Sequence, residues 1–598
     1  MERLAELPLA AERLFQQHCA GDPHAAAAGA LCDGAAALAG RGAAAAAAVD
    51  RGLAGVPPTQ VLAAGVASLL ALQLALALAR WLLRVCTVAA AFRCCLKLPL
   101  VRTIAAKEEA KETGSLFHKY QSRRAGSLRT IPATALSEDQ ILQRLEKGER
   151  ASRKFYEPSE GGRLSGAVYC ADAAHWDLVS RVMRMYIVSN PLHIEEFLSV
   201  GQMEAELIRM CCNLYRGDDS SCGVGTSGGT ESIILACLAY REQGRARGVT
   251  APNMVMPATA HAAFDKAGFY LGIEMRKVPL DRELRCDVRA LRRRIDRNTI
   301  ALAGTAPDYP YGNFDPIPAI AALAQSRGIG CHSDCCLGSF ANAFAEQAGC
   351  PLPHAVDFSV PGVTSISCDP HKYAYGPKGF SVCLFRDKAL RQGQFFACMD
   401  WPGGFCECRL HLCVGWPRLT TSLPSDATTT IAGSRPGATI AGTWAAVVSI
   451  GQDGYVQRTR SILRAAERMR VGLAEDVPEV LVASRHHSSV VALVSRPGKG
   501  QINALALSDV LAEHFGWTLN KIQNPPGCHL AVTLLTATQA DEFVAAVKRA
   551  VAKMKAEPEL NHSASVATYG LAANLSKVDA GYVNDLCKLH SAALLDAL

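Results

Sequence analysis

Short apolar runs alternate with amphipathic stretches through the middle of the chain, and this alternation constrains the fold more than any other feature. The runs typical of strands are PNMVMPA, IEMRKVPL, TIALAGTAP and IGCHSD, and the stretches between them have helical spacing. Strands that alternate with helices form a mostly parallel sheet with helices on both faces. We therefore predict an α/β fold for the part of the chain that begins near Ser165.

A smaller region follows this alternating part. A helical stretch runs from Ala438 to Arg470, and a second helix is predicted around Ala504 to Phe515, between the strand-like runs VLVASRHHSSVVALVSR and CHLAVTLLT. The 598 residues also exceed the size at which one hydrophobic core keeps growing. These features predict a second, smaller α+β domain.

Ahead of both parts, the run from Val61 to Ala79 contains 19 residues without a charge. This length is enough to cross a bilayer as a helix. Basic residues crowd the C-terminal side of the run, so the positive-inside rule predicts that everything after Arg80 is cytosolic. A buried core helix is the alternative, which Gly65, Ser68 and Gln73 favour.

Cysteine content and net charge narrow the class of protein. The 23 cysteines are odd in number and scatter through apolar segments, which favours a reducing compartment over a disulfide framework. The formal charge of +7 is small for this length, and no stripe of basic and aromatic residues is present. Nucleic acid is therefore not a predicted partner.

Ligands of open α/β sheets bind beyond the carboxyl ends of the strands, and four polar features stand at such places. In CGVGTSGGTESIILA, small residues up to Gly229 run straight into a helix, whose N-terminus can bind an anion. The alternative there is a tight turn with Thr230 as the helix N-cap. In ATAHAAFDKA, His261 follows a predicted strand, and it is either a ligand-binding or a structural histidine.

The other two features are an acid and an amine. Asp334 ends an apolar strand, where a buried carboxylate needs a cationic partner; the alternative is a structural salt bridge. Lys372 follows the strand-like run FSVPGVTSISC. Burial lowers the pKa of a lysine and makes it a nucleophile that forms Schiff bases, unless its side chain reaches solvent. Together the four features supply what pyridoxal 5′-phosphate needs: a phosphate cradle, a ring-stacking group, an acid for the ring nitrogen and a Schiff-base lysine.

Motifs between about Leu164 and Lys555 extend this pattern. In chain order they are SGAVY, NPLH, MEAELIRM, TSGGTES, AHAAFDKA, HSDCCLGSF, TSISCDPHKYAYGPKG, MDWPGG and IAGSRPG. In number and order they resemble the group II pyridoxal-phosphate-dependent decarboxylase family. Within it, the chain is most similar to the membrane-anchored lyases that act on phosphorylated sphingoid bases, because a single predicted anchor precedes a cytosolic catalytic part.

The resemblance implies a fold-type I enzyme that forms a homodimer, with sites at the subunit interface. Lys372 would hold pyridoxal 5′-phosphate as a Schiff base, Asp334 would pair with its ring nitrogen, and His261 would stack on the ring. The residues implied to contact the cofactor phosphate are Gly229, Thr230 and His371.

The resemblance also implies how the substrate is held. Lys378 would meet the substrate phosphate, in a pocket lined by Tyr169, Asn190 and His193. Tyr311 resembles a tyrosine near the reacting carbons. The general base is left open among Tyr311, His193 and the freed Lys372.

The implied activity is that of a carbon–carbon lyase of the sphinganine-1-phosphate aldolase type. It would cleave the C2–C3 bond of phosphorylated sphingoid bases, such as sphingosine 1-phosphate and dihydrosphingosine 1-phosphate, to a long-chain aldehyde and phosphoethanolamine. Two alternatives stay open: a pyridoxal-phosphate-dependent amino-acid decarboxylase, and a membrane-tethered homologue that has lost catalysis.

The sequence departs from the family pattern mainly between Phe405 and Thr430, where roughly twenty extra residues follow MDWPGG. They are predicted to be a surface insertion or the result of a misplaced exon boundary. Their CxCxxHxC spacing matches no strong zinc pattern, so no metal is predicted. In addition, Ile194-Glu195 replaces the usual Pro-Asp after NPLH.

We expect six segments and a single-pass protein of the endoplasmic reticulum membrane with its catalytic part in the cytosol. The segments are a low-complexity lumenal stretch (1–57), a transmembrane helix (58–83), a linker with helical character (84–164), a large cofactor-binding domain (165–445, with the insertion at 405–430), a small C-terminal domain (446–560) and a tail (561–598).

Overall fold

The computed structural model of the chain describes residues 128, 130–153, 155–157, 161–398, 426–485, 487–496, 498, 501–562, 566, 588 and 591. The predicted transmembrane helix at 58–83 and the lumenal stretch before it lie outside these residues, as do most of the insertion and most of the tail. None of the helices within the described ranges has the length and apolar character to cross a membrane.

A seven-stranded sheet forms the centre of the large domain. In spatial order its strands are β1 (Cys222–Thr226), β7 (Ser381–Phe385), β6 (Ser365–Cys368), β5 (Gly330–Asp334), β4 (Thr299–Thr305), β2 (Asn253–Pro257) and β3 (Glu274–Val278). All residues of these strands are buried except on the edge strand β3. Strands that are covered on both faces need such continuous burial.

The sheet is mixed, so the predicted parallel arrangement holds only for part of it. Strands β2 to β6 pair in parallel with one another, whereas β7 is antiparallel to both β6 and β1. Because β7 is antiparallel to both of its neighbours, β1 runs in the same direction as β6 and the other parallel strands. The carboxyl ends of six strands therefore point to one edge of the sheet.

Helices cover both faces of this sheet. The helices of this part of the chain are α1 (Glu138–Arg153), whose described side chains are all exposed, α2 (Ala173–Met185), α3 (Leu198–Leu214), α4 (Gly229–Ala246), α5 (Ala262–Leu271), α6 (Val288–Arg294), α7 (Ile317–Ser326), α8 (Ser339–Phe344) and α9 (Lys388–Gln392). Polar side chains begin several of them: Asp172 caps α2, and Asp287 caps α6. The helices and strands predicted between Glu231 and Asp334 are all present, with shorter bounds for α6.

A two-stranded ribbon leads into and out of the insertion. It pairs β8 (Phe396–Cys398) with β9 (Asp426–Thr428), in an antiparallel register that sets Cys398 opposite Asp426. The chain therefore enters and leaves the segment 399–425 at neighbouring points.

The long helix α10 (Gly437–Asp476) joins the large and small domains and bends at Gly451, whose φ is 63°. The small domain carries the antiparallel sheet β10 (Val480–Val482), β11 (Val490–Ser495), β13 (Gly527–Ala531) and β12 (Asn520–Ile522). Its helices are α11 (Ala504–Phe515), α12 (Leu534–Ala537), α13 (Ala540–Ala556) and a 3₁₀ helix (Pro558–His562). Trp517 and Phe543, both fully buried, pack against each other in its core with their ring planes tilted by 60°.

Candidate active site

Polar side chains gather where the parallel strands end. Beyond β1 lies the glycine-rich turn before α4, beyond β2 lies His261, and β5 ends at Asp334. Strand β6 is followed directly by Asp369 and Lys372. The topology thus places all four predicted features on one edge of the sheet, where open α/β folds bind ligands.

The glycine-rich turn forms a tight cradle at the start of α4. A side chain at Gly229 would come within 2.8 Å of the carboxylate oxygens of Asp369, whereas one at Gly228 would meet nothing within 4 Å. Gly228 is the N-cap residue, so the alternative with Thr230 as N-cap is wrong, and Thr230 lies in the first turn. The first-turn N–H groups have no intrahelical acceptors and can bind a phosphate.

Glu231 fixes this cradle, a role that was not predicted from the sequence. Its Oε2 atom accepts hydrogen bonds from the backbone N–H of Ser227 (2.7 Å) and from the Ser227 hydroxyl (2.6 Å). Its Oε1 atom accepts from the backbone N–H of Ile431 (3.0 Å), just after the insertion. The buried glutamate therefore ties the cradle to the segment that follows the insertion.

Lys372 forms an ion pair with Asp369, with 2.8 Å between Nζ and Oδ2. Burial opposes ionisation of both groups, but their attraction outweighs it: the pKa of Lys372 is raised and that of Asp369 is lowered. The expectation that burial would lower the pKa of Lys372 is therefore wrong, because a carboxylate three residues earlier compensates for the lost hydration. Asp369 was missed in the sequence; an acid at this spacing from the lysine was the available signal.

Asp369 also connects to the strand that returns from the lysine loop. The Ser381 hydroxyl donates to its Oδ1 atom at 2.6 Å. Nε2 of His371 lies 3.7 Å from Oδ2, and Nδ1 of the same ring lies 2.9 Å from the Phe380 carbonyl. Burial lowers the pKa of His371 despite the nearby carboxylate. The aspartate is thus a hub that orients both the lysine and the histidine.

Asp334 is buried and has only hydrogen-bond donors as partners. Its Oδ1 atom accepts from the backbone N–H of Cys336 (3.1 Å) and from the Ser367 hydroxyl (3.0 Å). Within the described ranges no lysine, arginine or histidine forms an ion pair with it, so the predicted cationic partner is not supplied by these residues. A buried carboxylate in this state fits a cationic ring nitrogen of a cofactor.

His261 ends up at the N-terminus of α5. Its Nδ1 atom accepts a hydrogen bond from the backbone N–H of Ala263 (3.1 Å), and the residue is exposed. The ring is therefore held at one nitrogen, and the residue is otherwise exposed. This placement leaves a ring available for stacking.

Lys378 lies against Tyr169, with its Nζ 4.7 Å from the ring centroid and 3.2 Å from the carbonyl oxygen of His371. Burial and the positive charge of Lys372 lower the pKa of Lys378 to about 8. Lys378 is therefore mostly protonated at neutral pH and loses its proton in mild alkali. Burial raises the pKa of Tyr169 to about 12, against the pull of Lys372.

Asn190 and His193 form a separate part of the site. Asn190 donates to the Ser434 hydroxyl (3.0 Å) and accepts from the backbone N–H of Arg435 (3.2 Å). Arg435 in turn forms a two-point ion pair with Glu204. His193 is exposed, and no side-chain contact joins it to Lys372 or Lys378 among the described residues. The structure therefore links Asn190 to the IAGSRPG segment and leaves His193 apart from the lysines.

Tyr311 is fully buried, and its hydroxyl donates to the carbonyl oxygen of Gln523 in the small domain (3.0 Å). Tyr309, two residues earlier, is 44% exposed and is one of the groups that raise the pKa of Tyr169. Its ring packs edge-on against His529, with 4.7 Å between centroids. On this loop the tyrosine near Tyr169 is therefore Tyr309, which the sequence analysis passed over for Tyr311.

The assembled residues fit pyridoxal 5′-phosphate. An amine (Lys372), a buried acid without a cationic partner (Asp334) and an open helix N-terminus (Gly228 and Gly229) lie on one edge of the sheet. In the part of the chain that the structure describes, no three His, Cys, Asp or Glu side chains come together as a metal site. The Cys406–Cys413 segment lies outside that part.

Comparison with known proteins agrees with this geometry. Residues 182–494 match the pyridoxal-dependent decarboxylase conserved domain. The chain is 39% identical over 490 residues to the sphingosine-1-phosphate lyase of Drosophila melanogaster, which covers 81% of this chain and 84% of the relative. The chain belongs to the sphingosine-1-phosphate lyase family.

Further members of the sphingosine-1-phosphate lyase family extend the comparison. The chain is 37% identical over 447 residues to sphingosine-1-phosphate lyase 1 of Rattus norvegicus, covering 74% of this chain and 73% of the relative. The solved structure of a Burkholderia pseudomallei sphingosine-1-phosphate lyase superposes with a TM-score of 0.66 at 32% identity, over 76% of this chain and 98% of that one. The match to the decarboxylase domain indicates that the cofactor is pyridoxal 5′-phosphate.

Proposed function

We propose that this protein is a pyridoxal-phosphate-dependent lyase that cleaves the C2–C3 bond of phosphorylated sphingoid bases, releasing a long-chain aldehyde and phosphoethanolamine. The single observation that carries this proposal is the second lysine of the site. Lys378 lies against Tyr169 and close enough to Lys372 for the two charges to interact. A cation beside the Schiff-base lysine supplies a partner for a substrate phosphate.

When bound, pyridoxal 5′-phosphate supplies a carbonyl that condenses with amines and a ring that accepts the electrons of the broken bond. The chain's own residues hold and orient it. Lys372 provides the amine, and the carboxylate of Asp369 holds that amine in place at 2.8 Å. Asp334 would pair with the ring nitrogen and favour its protonated form. His261 would stack on the ring, and Gly229, Thr230 and His371 would hold the phosphate.

We assign substrate recognition to a second group of residues. Lys378 and Tyr169 would bind the substrate phosphate, and Asn190 and His193 would contact the substrate from the separate part of the site that they form. The base that removes the proton from the C3 hydroxyl is chosen from Tyr309, Tyr311, His193 and the freed Lys372. The contacts of Tyr309 with the site favour it over Tyr311, whose hydroxyl is engaged by Gln523.

Membrane attachment and assembly are parts of the same proposal. The uncharged run at 61–79 would anchor the protein in the endoplasmic reticulum membrane, with the catalytic part in the cytosol. A water-insoluble substrate would give such an anchor a use. Two copies would form a homodimer with the sites at their interface, as expected for this fold type.

The alternatives are an amino-acid decarboxylase on the same fold and a homologue without catalysis. A decarboxylase would need a partner for the carboxylate of its substrate and would have no use for a membrane anchor. The insertion at 405–430 is the reason for considering a homologue without catalysis.

A product assay separates the three. The purified full-length protein is incubated with pyridoxal 5′-phosphate and either phosphorylated sphingosine or aromatic amino acids. We expect aldehyde and phosphoethanolamine from the first substrate and no carbon dioxide from the second. In Lys372→Ala, both the visible absorbance of the bound cofactor and the activity should vanish, whereas Lys548→Ala, at an exposed site, should match the wild type. Turnover by Lys372→Ala would rule out the mechanism.

A further inference from the structure

A chain of buried hydrogen bonds leads from Asp334 into the sheet. His332 lies on β5, two residues before Asp334, and is fully buried. Its Nε2 atom is 3.1 Å from the Ser367 hydroxyl, and its Nδ1 atom is 2.7 Å from the Ser365 hydroxyl. Both serines are on the neighbouring strand β6 and are fully buried.

The series of hydrogen bonds extends beyond both serines. At one end the Ser367 hydroxyl donates to Oδ1 of Asp334 at 3.0 Å. At the other, the Tyr240 hydroxyl lies 2.5 Å from the Ser365 hydroxyl and 2.8 Å from the Thr364 hydroxyl. Tyr240 belongs to α4, the helix whose N-terminus forms the phosphate cradle. Four consecutive hydrogen bonds thus connect Tyr240 of α4 to Asp334 across β5 and β6.

The direction of these hydrogen bonds follows from the carboxylate at one end. An ionised carboxylate can only accept, so the proton of Ser367 points to Asp334. Ser367 must then accept from Nε2–H of His332, which leaves Nδ1 to accept from Ser365. Ser365 accepts from Tyr240 in the same way. Every proton in the chain therefore points toward Asp334.

The charge state of His332 is consistent with this direction. Burial lowers its pKa to about 4, against the pull of Asp334. At neutral pH the ring is neutral and carries one N–H, which is what a one-directional chain requires. Among the described residues, the two hydrogen-bond partners of the His332 ring are the Ser365 and Ser367 hydroxyls, and neither of them titrates.

The location of this chain argues for a function. Strands that are covered on both faces are normally built from apolar side chains, and burying hydroxyl and imidazole groups there is costly unless each is satisfied. Here Ser365, Ser367 and His332 occupy adjacent positions of two such strands. Donors that are aligned in series polarise one another and favour the ionised form of the final acceptor.

We propose that His332, Ser367, Ser365 and Tyr240 form a relay that holds the Asp334 carboxylate oriented toward the ring nitrogen of the cofactor. His332 is then a positioning residue, because it acts through Ser367 and touches neither cofactor nor substrate. This inference rests on the proposed function, in which Asp334 pairs with that nitrogen.

The test measures cofactor binding rather than turnover. Dissociation constants of pyridoxal 5′-phosphate are measured by fluorescence titration for the full-length wild type and for His332→Phe, which keeps a ring but removes both nitrogens. Since hydrogen bonds to charged groups are involved, we expect binding weakened about tenfold to hundredfold in His332→Phe. Tyr240→Phe, at the far end, should weaken it by about threefold or less. Tyr215→Phe is the matched control, because this buried hydroxyl donates to the Ser339 carbonyl outside the relay, and its binding should equal that of the wild type.

A cofactor analogue in which CH replaces the ring nitrogen separates positioning from packing. Without the nitrogen, Asp334 has no partner, so wild type and His332→Phe should bind the analogue with nearly the same affinity. Equal losses for cofactor and analogue, or wild-type affinity in His332→Phe, would overturn the relay. If His332→Phe does not fold, Ser365→Ala replaces it, with an expected loss between those of the two other relay variants. Failure of the wild type to bind pyridoxal 5′-phosphate at all would instead overturn the proposed function.

Nitrogen-15 spectra of the histidine rings give a second readout that needs no cofactor. We expect His332 as the neutral ring protonated at Nε2, with a shift that changes in Tyr240→Phe and stays constant in Tyr215→Phe. A ring protonated at Nδ1 would contradict the direction of the relay.

Discussion

The carboxylate of Asp369 touches the ammonium of Lys372 on one side, at 2.8 Å, and closes against Gly229 on the other. A Cβ atom at residue 229 would lie 2.8 Å from either carboxylate oxygen, so glycine is required there. One buried acid thus fixes both the covalent attachment point and the phosphate cradle relative to each other.

The ion pair should be a major contributor to the stability of the cofactor-free protein. In Asp369→Asn the Lys372 ammonium keeps its buried position without a counter-charge, and we expect a loss of about 3 kcal/mol in the free energy of unfolding. Urea denaturation of the cofactor-free protein measures it. Asp177→Asn removes an exposed pair with Arg181 and should change the free energy by less than about 0.5 kcal/mol. Equal denaturation midpoints for Asp369→Asn and the wild type would contradict the expectation.

Lowering the pH should remove the contribution of the Asp369–Lys372 ion pair to the free energy of unfolding. The pKa of Asp369 is lower in the folded protein than the value of about 3.9 in an unfolded chain, so the unfolded state takes up the proton first as the pH falls. The stabilisation is therefore present above about pH 4 and is lost as the pH falls through the lower folded pKa. The difference in unfolding free energy between wild type and Asp369→Asn should shrink over that interval. A difference that stays constant down to pH 2 would argue against the linkage.

Lys378 should make substrate binding sensitive to alkali. Its pKa of about 8 means that the ammonium is present at pH 7 and is lost as the pH rises through 8. We expect KM for the phosphorylated substrate to rise above that pH, and Lys378→Ala to have a KM about tenfold to hundredfold higher at pH 7 with a smaller pH dependence. Lys388→Ala, at an exposed position of α9, serves as the control. An unchanged KM in Lys378→Ala would show that Lys378 does not bind the substrate phosphate.

Substitutions of the two tyrosines in the loop after β4 should have different effects on kcat and on stability. Tyr309→Phe removes a hydroxyl close to Tyr169 and should lower kcat about a hundredfold if that hydroxyl moves a proton. Tyr311→Phe removes a hydrogen bond to the small domain and should cost about 1 kcal/mol of stability with little change in kcat. Steady-state rates and denaturation midpoints of both variants distinguish the two effects. The reverse pattern would restore Tyr311 as the tyrosine of the site.

Two glycosylation sequons report on the topology. Asn561-His-Ser and Asn574-Leu-Ser both follow the catalytic part. If that part is cytosolic, both stay unmodified in cells that carry out N-glycosylation. Peptide mass spectrometry before and after glycosidase treatment checks this, and a sequon engineered at residue 20 on the predicted lumenal side is the positive control. Glycan on Asn561 would reverse the proposed orientation.

The alternation of strands and helices predicted most of the large domain, because each buried strand is a short, continuous apolar run between turn residues. The reversed direction of β7 was not predictable from its composition: a buried antiparallel strand and a buried parallel strand have the same apolar character. Only the short connection from β6, through the lysine loop, to β7 indicated that the chain turns back.

The residues of the site were predicted by chemical type, but their electrostatic partners were not. Lys372 and Asp334 were recognised because amines and acids are conspicuous at the ends of apolar strands. The raised pKa of Lys372 depends on the 2.8 Å approach of Asp369, which the fold alone determines. The contacts of Tyr309 and Tyr311 were not predictable for the same reason, because the direction of each side chain on this loop is set by its contacts with the small domain.

The ribbon of β8 and β9 brings the two ends of the segment 399–425 together, with Cys398 opposite Asp426. A segment whose ends meet can be lengthened or replaced over evolutionary time without displacing Lys372 or Asp334, which are held by other strands. Sequences of different length can therefore occupy this place in the chain while the strands that carry the cofactor-binding residues keep their positions.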